Sequence, residues 1–239
     1  MTDPVVLAFP VLSAISGIRH GFVCRVPGLD VAVERQAALD RLAAIHREVL
    51  RRAAVPPLRR VEQVHGGEVA IVDSGSPEVA ARADALVTRD PEVTLGIFVA
   101  DCCAVYLVDP RLRAIGLIHS GKKGTKANIA GRSVQLMVEA FGTDPADLVA
   151  QLSPCIRPPE YEIDFAAEIR RQLAATGVGR IVDDGQNTGT DLTRFYSYRK
   201  ERGKTGRMLA YLATGRAQRK PPHGATAKGR MPQAEKCHK

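Results

Sequence analysis

The feature that most constrains this chain is a set of three short apolar runs between Leu95 and Thr125, LGIFVADCCAVYLVDPRLRAIGLIHSGKKGT. Leu95–Ala100 suits a buried strand, and Asp101 and Cys102 interrupt it with polar, reactive side chains. Val105–Val108 is a second such run, closed by the turn signal Asp109-Pro110. Ala114–Ile118 is a third, with His119 at its end. Gly121 and Gly124 then loosen the backbone ahead of a helical pattern, so residues 121–125 read as a glycine-rich loop. A thiol and an imidazole each stand where a strand stops, the position from which a rigid scaffold usually presents reactive groups.

The remaining elements follow from periodicity and punctuation. Val5–Phe9 and His20–Val26 read as strands. Asp30 is placed to cap a helix carried by Leu39, Leu42, Ile45 and Val49, which Pro56-Pro57 ends. Leu58–His65, Gly66-Gly67 and Val69–Val72 have the form of a hairpin. Asp73–Pro77 is a loop and Ala83–Thr88 a strand. Ile129, Val134, Met137, Val138 and Phe141 mark an amphipathic helix, broken at Asp144-Pro145. Leu148–Leu152 and Tyr161–Ile163 read as strands, Phe165–Ala175 as a helix, Ile181-Val182 as a short strand and Met208–Ala213 as a last strand. Strands outnumber helices without a regular alternation, which predicts an α+β fold.

Charge divides the chain unevenly. Residues 214–239 hold seven Lys/Arg against one acidic residue and so carry six of the eight net positive charges. With almost no large apolar side chains, this segment cannot bury enough surface to fold alone and reads as a disordered basic tail. It lacks the interleaved aromatics of a nucleic-acid arm, so nucleic acid is not an expected partner. The organisation expected is one catalytic domain over residues 1–213 and the tail over 214–239. No run of 18 apolar residues predicts a membrane span, and the N-terminus lacks the form of a secretory signal. Five scattered cysteines do not form a disulfide framework, which points to a reducing cytoplasm.

His65, Cys102 and His119 each fall at the end of an expected strand. Imidazole and thiolate together suit zinc, and three protein ligands leave a fourth position open, as in catalytic sites. The same atoms allow a second reading, in which Cys102 is a nucleophile and His119 or His65 its base. The gaps of 37 and 17 residues contain no local metal motif, so spacing alone leaves both readings open. Cys24, Cys103 and Cys155 read as packing residues.

Seven motifs then occur in a telling order: QVHG (Gln63–Gly66), ADALVT (Ala83–Thr88), ADC (Ala100–Cys102), HSGKKGT (His119–Thr125), SPCI (Ser153–Ile156), YEI (Tyr161–Ile163) and FYSYR with TGR (Phe195–Arg199, Thr205–Arg207). In this order they resemble the YfiH-like family, also called the laccase-domain, polyphenol-oxidase or peptidoglycan-editing-factor family. The resemblance runs from about Gly17 to Ala213. It implies a single domain of mixed β-sheets sandwiched between helices. It implies zinc, or less readily copper, held by His65, Cys102 and His119. It also implies phosphorolysis of adenosine, inosine, guanosine and methylthioadenosine, with adenosine deamination beside it.

Four features depart from the family pattern, the first being that its N-terminal glycine-rich, Asn-containing segment is cut short after HGFVCR (His20–Arg25). Lys122 and Lys123 stand where its HAGWRGT loop has Trp and Arg. Asn187-Thr188 stands in place of a Cys-Thr pair, and the chain between Tyr161 and Phe165 is short. Phosphate would need cations and backbone donors. Candidates are the N–H groups of 121–125, Lys122, Lys123, Arg199 and Arg207, with Asp101 orienting a ligand or accepting a hydrogen bond. A true multicopper oxidase fits poorly, because the chain has only six His and two of them, His223 and His238, lie in the tail. A metal-independent Cys/His hydrolase acting on an amide or a cell-wall precursor, and an inactive metal- or nucleotide-binding homologue, are the alternative functions.

Overall fold

The three apolar runs become β7 (Thr94–Val99), β8 (Cys103–Val108) and β9 (Ile115–Ser120) of the computed structural model, which describes residues 3–215. Every residue of β8 and β9 is buried, as expected of strands covered on both faces. Before them come β1 (Val6–Leu7), α1 (Pro10–Ser13), β2 (Ile18–Val23), α2 (Arg35–Arg52), β3 (Leu58–Glu62), β4 (Val69–Ile71), β5 (Val79–Arg82) and β6 (Ala85–Thr88). After them come α3 (Lys122–Lys126), α4 (Ile129–Phe141), β10 (Val149–Leu152), α5 (Phe165–Ala175), β11 (Arg180–Asp183) and β12 (Met208–Thr214).

These strands build two six-stranded mixed sheets, ordered β1-β2-β12-β7-β3-β5 and β11-β10-β8-β9-β6-β4. Alternation along each strand assigns its two faces. Leu95, Ile97 and Val99 of the first sheet meet Ala104, Tyr106, Val108, Ile115 and Leu117 of the second in a core between the sheets. The Tyr106 hydroxyl donates across that core to the Gly21 carbonyl at 2.9 Å. Val105, Leu107 and Ile118 point the other way, against Ile129, Val134 and Met137 of α4 and Phe165, Ile169 and Leu173 of α5. On the outer face of the first sheet, Val23, Leu209 and Phe98 meet Val49 and Leu50 of α2. The layers are therefore helix, sheet, sheet, helices: the α+β single domain of mixed sheets between helices that the resemblance implies.

Some elements differ from the sequence expectation. The residues on either side of Gly66-Gly67 are not a hairpin: β3 pairs with β5 and β7 in the first sheet, while β4 pairs with β6 in the second, each pairing parallel. Turn residues between two β runs suggest a hairpin, but they serve equally well where a chain steps from one layer to the next. The segment Tyr161–Ile163 is a bend rather than a strand, because it finds no ladder partner. Residues 122–126 are one helical turn rather than an open loop, with Gly124 and Thr125 buried. The helix expected from Asp30 begins at Arg35, where Glu34 is still extended. Asp30 instead accepts from the Ala32 N–H and from Arg41. Residues 216–239 of the basic segment lie outside the described residues.

Candidate metal centre

Topology explains why residues 65, 102 and 119 converge. β3 and β7 are parallel neighbours, so their C-terminal ends lie together. His65 follows the first and Cys102 the second, each on the connection by which the chain crosses between sheets. β8 starts beside the end of antiparallel β9, with Cys103 opposite Ser120 and Ala104 opposite His119. The ligand atoms of His65, Cys102 and His119 all lie within 4.8 Å of one another, the one such group of His, Cys, Asp or Glu among the described residues. The two imidazole rings stand edge to face, 4.8 Å apart at 84°.

A buried carboxylate that the sequence did not single out holds this geometry. Asp84 is fully buried. Its Oδ1 accepts from the His65 N–H (2.9 Å) and pairs with His119 Nδ1 (2.7 Å). Its Oδ2 accepts from the N–H groups of Val64 (3.2 Å) and Gly66 (2.6 Å). The Asp84 carbonyl also takes the His119 N–H at 2.7 Å. One side chain thus closes the turn that carries His65, whose φ of 60° is left-handed, and directs the His119 ring. With Nδ1–H donated to Asp84, Nε2 of His119 is left to bind a ligand, the usual outer support of a metal-bound imidazole. Gln63 anchors the approach, its amide donating to the Phe98 carbonyl (2.7 Å) and accepting the Phe98 N–H (2.9 Å). The available signal for Asp84 was an acid at the head of an apolar strand in ADALVT.

The electrostatics favour a thiolate. Burial pushes the Cys102 thiol up, but the His119 charge and hydrogen bonds with His119 and His65 outweigh it and bring the thiol down to about 6. Burial likewise disfavours a charged His119, yet the Cys102 thiolate and Asp84 raise it to about 9. Asp84 is held below the usual carboxylate range, because bonds from His119, Gly66 and His65 overcome the effect of its burial. Gly121 is required beside the sulfur, since a Cβ there would stand 2.4 Å from Cys102 Sγ. Two imidazole nitrogens and a thiolate form a donor set that fits a metal of zinc's softness, and His65, the exposed member, leaves the cluster open on one side. The other described imidazoles are occupied elsewhere: His20 accepts from the Phe9 N–H and His46 stacks on Phe98. The donor set is thus one mixed N/S cluster and does not extend to the several imidazoles of a multicopper centre.

The remaining candidates divide. Asp101 is buried, has φ 78°, and is a hydrogen-bond acceptor rather than a group facing the cluster's open side. Its Oδ1 takes the Thr188 hydroxyl (2.7 Å), and its Oδ2 takes the Ser197 hydroxyl (3.0 Å) and the Arg199 N–H (2.7 Å). It draws two distant loops against the Cys102 turn. Arg199 and Lys122 are exposed and share one carboxylate, with Glu162 lying 2.6 Å from the first and 3.9 Å from the second. Arg199 also lies over the Tyr161 ring at 4.6 Å. Lys123 is exposed. Arg207 differs from these, being 8% exposed. Its Nη1 donates to the Thr205 and Gly206 carbonyls, and no carboxylate pairs with it among the described residues. Burial and the charge of Arg35 push the Arg207 pKa down, and Cys102 and Asp101 are among the negative charges it feels.

Comparison with known proteins places this geometry in context. Residues 19–166 and 160–214 match the family described as Multi-copper polyphenol oxidoreductase laccase. A purine nucleoside phosphorylase of Deinococcus radiodurans is 33% identical over 253 residues, covering 91% of this chain and 97% of that protein. Purine nucleoside phosphorylase YlmD of Geobacillus stearothermophilus is 28% identical, covering 85% and 91%. The crystal structure of the Geobacillus stearothermophilus YlmD superposes with a TM-score of 0.74 at 25% identity, covering 84% of this chain and 93% of that one. The Neisseria meningitidis protein NMB0706 shares the fold with a TM-score of 0.74 at 20% identity, covering 90% and 100%.

Proposed function

The chain belongs to the multi-copper polyphenol oxidoreductase laccase family, and from that premise we propose that it is a zinc-dependent purine nucleoside phosphorylase. The observation that carries the reading is the converged His65, Cys102 and His119 cluster, with its buried Asp84 support and a buried Arg207 nearby that has no carboxylate partner among the described residues. In the reaction the C1′–N9 glycosidic bond breaks and a phosphate oxygen bonds to C1′. The base leaves with the electron pair and gains the proton that the phosphate loses. Adenosine, inosine, guanosine and methylthioadenosine are the substrates of this reading. Adenosine deamination, in which water replaces the exocyclic amine and ammonia leaves, is its side activity.

Zinc would be held by His65, Cys102 and His119 and would supply a Lewis acid at the open side of the cluster. The chain's own groups do the rest. Asp84 keeps His119 in the tautomer that leaves Nε2 free and keeps the His65 turn closed. Arg207 is assigned to phosphate: two of its donor nitrogens, Nε and Nη2, are not used by the Thr205 and Gly206 carbonyls, and guanidinium geometry matches phosphate oxygens. Lys122 and Arg199 reach an anion only by giving up Glu162.

Product analysis of adenosine incubated with the zinc-loaded protein, with and without phosphate, tests the reading. Adenine that forms only with phosphate supports phosphorolysis and inosine supports deamination; both should vanish in Cys102→Ala. Neither product from the zinc-loaded protein would overturn the reading. Turnover that survives chelation but not Cys102→Ala would favour the metal-independent Cys/His hydrolase.

A further inference from the structure

We infer that Tyr198 is the surface on which the purine base stacks, an assignment that rests on the nucleoside reading above. Asp101 Oδ2 accepts from both neighbours of Tyr198, the Ser197 hydroxyl at 3.0 Å and the Arg199 N–H at 2.7 Å. The residue between them is therefore fixed one short step from Cys102, which follows Asp101 in the chain. The loop is closed again behind the tyrosine, where the Gly203 N–H donates to the Tyr198 carbonyl at 2.8 Å and the Glu201 N–H to the Ser197 carbonyl at 3.0 Å. Gly203 has φ 87°, and even a Cβ there would meet the far end of the Tyr198 ring at 3.3 Å, so the backbone lies directly against it.

An aromatic side chain on a backbone held this firmly would ordinarily be buried. Phe195, Tyr196 and Ser197 before it, and Thr205, Gly206 and Arg207 after the loop, all are. Tyr198 is instead 55% exposed, the one aromatic among the exposed large apolar side chains of the described residues. Val64, the residue before His65, is exposed as well and brings a second apolar group beside the cluster. The Arg207 guanidinium lies 5.8 Å from the Tyr198 ring centroid. A buried cation thus lies over the ring of an exposed aromatic, on a segment that Asp101 ties to the Cys102 turn. A nucleoside plus phosphate presents the complementary pair, a planar apolar base and an anion. Stacking a base on an aromatic ring requires an exposed ring on a well-placed backbone, and Tyr198 combines the two.

The test is calorimetric titration of the zinc-loaded protein with inosine in the absence of phosphate, and separately with ribose 1-phosphate, for Tyr198→Phe, Tyr198→Leu and Tyr198→Ala. Inosine has no exocyclic amine to lose and cannot be phosphorolysed without phosphate, so binding is read without turnover. Inosine binding should weaken about 5- to 150-fold in the Leu and Ala variants. It should stay within about twofold of the parent in the Phe variant, which keeps the ring. Ribose 1-phosphate, which has no base, should bind all variants alike, and bound zinc and melting temperature should not move. Equal inosine affinity in all variants would overturn the assignment, as would a parallel loss for both ligands, which would mark a structural role. A parent protein that binds no inosine would bring down the nucleoside reading together with this inference. A parent that binds inosine only as well as Tyr198→Ala does would bring down the inference alone.

Discussion

Replacing Asp84 with Asn changes one oxygen to an amide at the point where four donors converge. The two donors on Oδ1, His65 N–H and His119 Nδ1, can keep their acceptor. The two on Oδ2, from Val64 and Gly66, then face an NH2 group; flipping the amide only exchanges which pair is orphaned. A buried donor left without an acceptor costs about 1–3 kcal/mol. Two of them give roughly 2–6 kcal/mol, the lower end applying to a donor that water can reach, as at the exposed Val64, and the upper end to one it cannot. In a chain of this size each kcal/mol moves the melting temperature by about 2–4 °C, so Asp84→Asn should melt roughly 5–20 °C lower. The His119 ring and the His65 turn would also lose their charged anchor, and a change of this kind behind a metal-bound imidazole lowers metal affinity about 10- to 100-fold. Scanning calorimetry of the metal-free protein measures the first effect, and zinc competition against a chromophoric chelator the second. A variant that melts within about 1 °C of the parent and binds zinc within about twofold would refute the reasoning.

Gly121→Ala would place a Cβ 2.4 Å from Cys102 Sγ, so zinc affinity should fall by about tenfold or more while the far-UV circular dichroism spectrum is unchanged. Asp101→Ala removes the acceptor for Thr188, Ser197 and Arg199, so limited proteolysis should cut within residues 186–203 far faster than in the parent. His46 is buried against Phe98 and desolvation lowers its pKa from 6.5 to about 4. The unfolded chain therefore binds the proton more readily: the His46 contribution to stability is whole above pH 6.5 and declines as pH falls towards 4, by roughly 3 kcal/mol. Denaturant titrations across that range should show this decline, and His46→Leu should flatten it.

Elements whose evidence is local were legible. The Phe165–Ala175 helix matches the sequence expectation to the residue, because helical apolar spacing and the closing Gly177 lie within one short window. The strands at 94–99, 103–108 and 115–120 were legible because uninterrupted apolar runs bounded by turn residues have few other uses. The β3–β4 region was misread as a hairpin because turn chemistry specifies a change of direction and says nothing of which sheet receives the next strand. The QVHG, ADC and HSG motifs marked the three side chains that converge, while Asp84 passed as part of a strand because its partners stand 18 to 35 residues away.

By itself the sequence determined where the chain is apolar, where it turns and which side chains carry chemistry, since each of these follows from neighbours within a few residues. Tertiary structure alone decided that β3 and β7 run parallel, so that His65 and Cys102 end at the same place, and that Asp84 is enclosed among four donors. It also decided that Arg199 and Lys122 share Glu162 while Arg207 meets no carboxylate among the described residues. The physical reason is that pairing, desolvation and charge compensation are properties of space: a carboxylate's partners are set by which layers pack against it, and no local pattern encodes that packing.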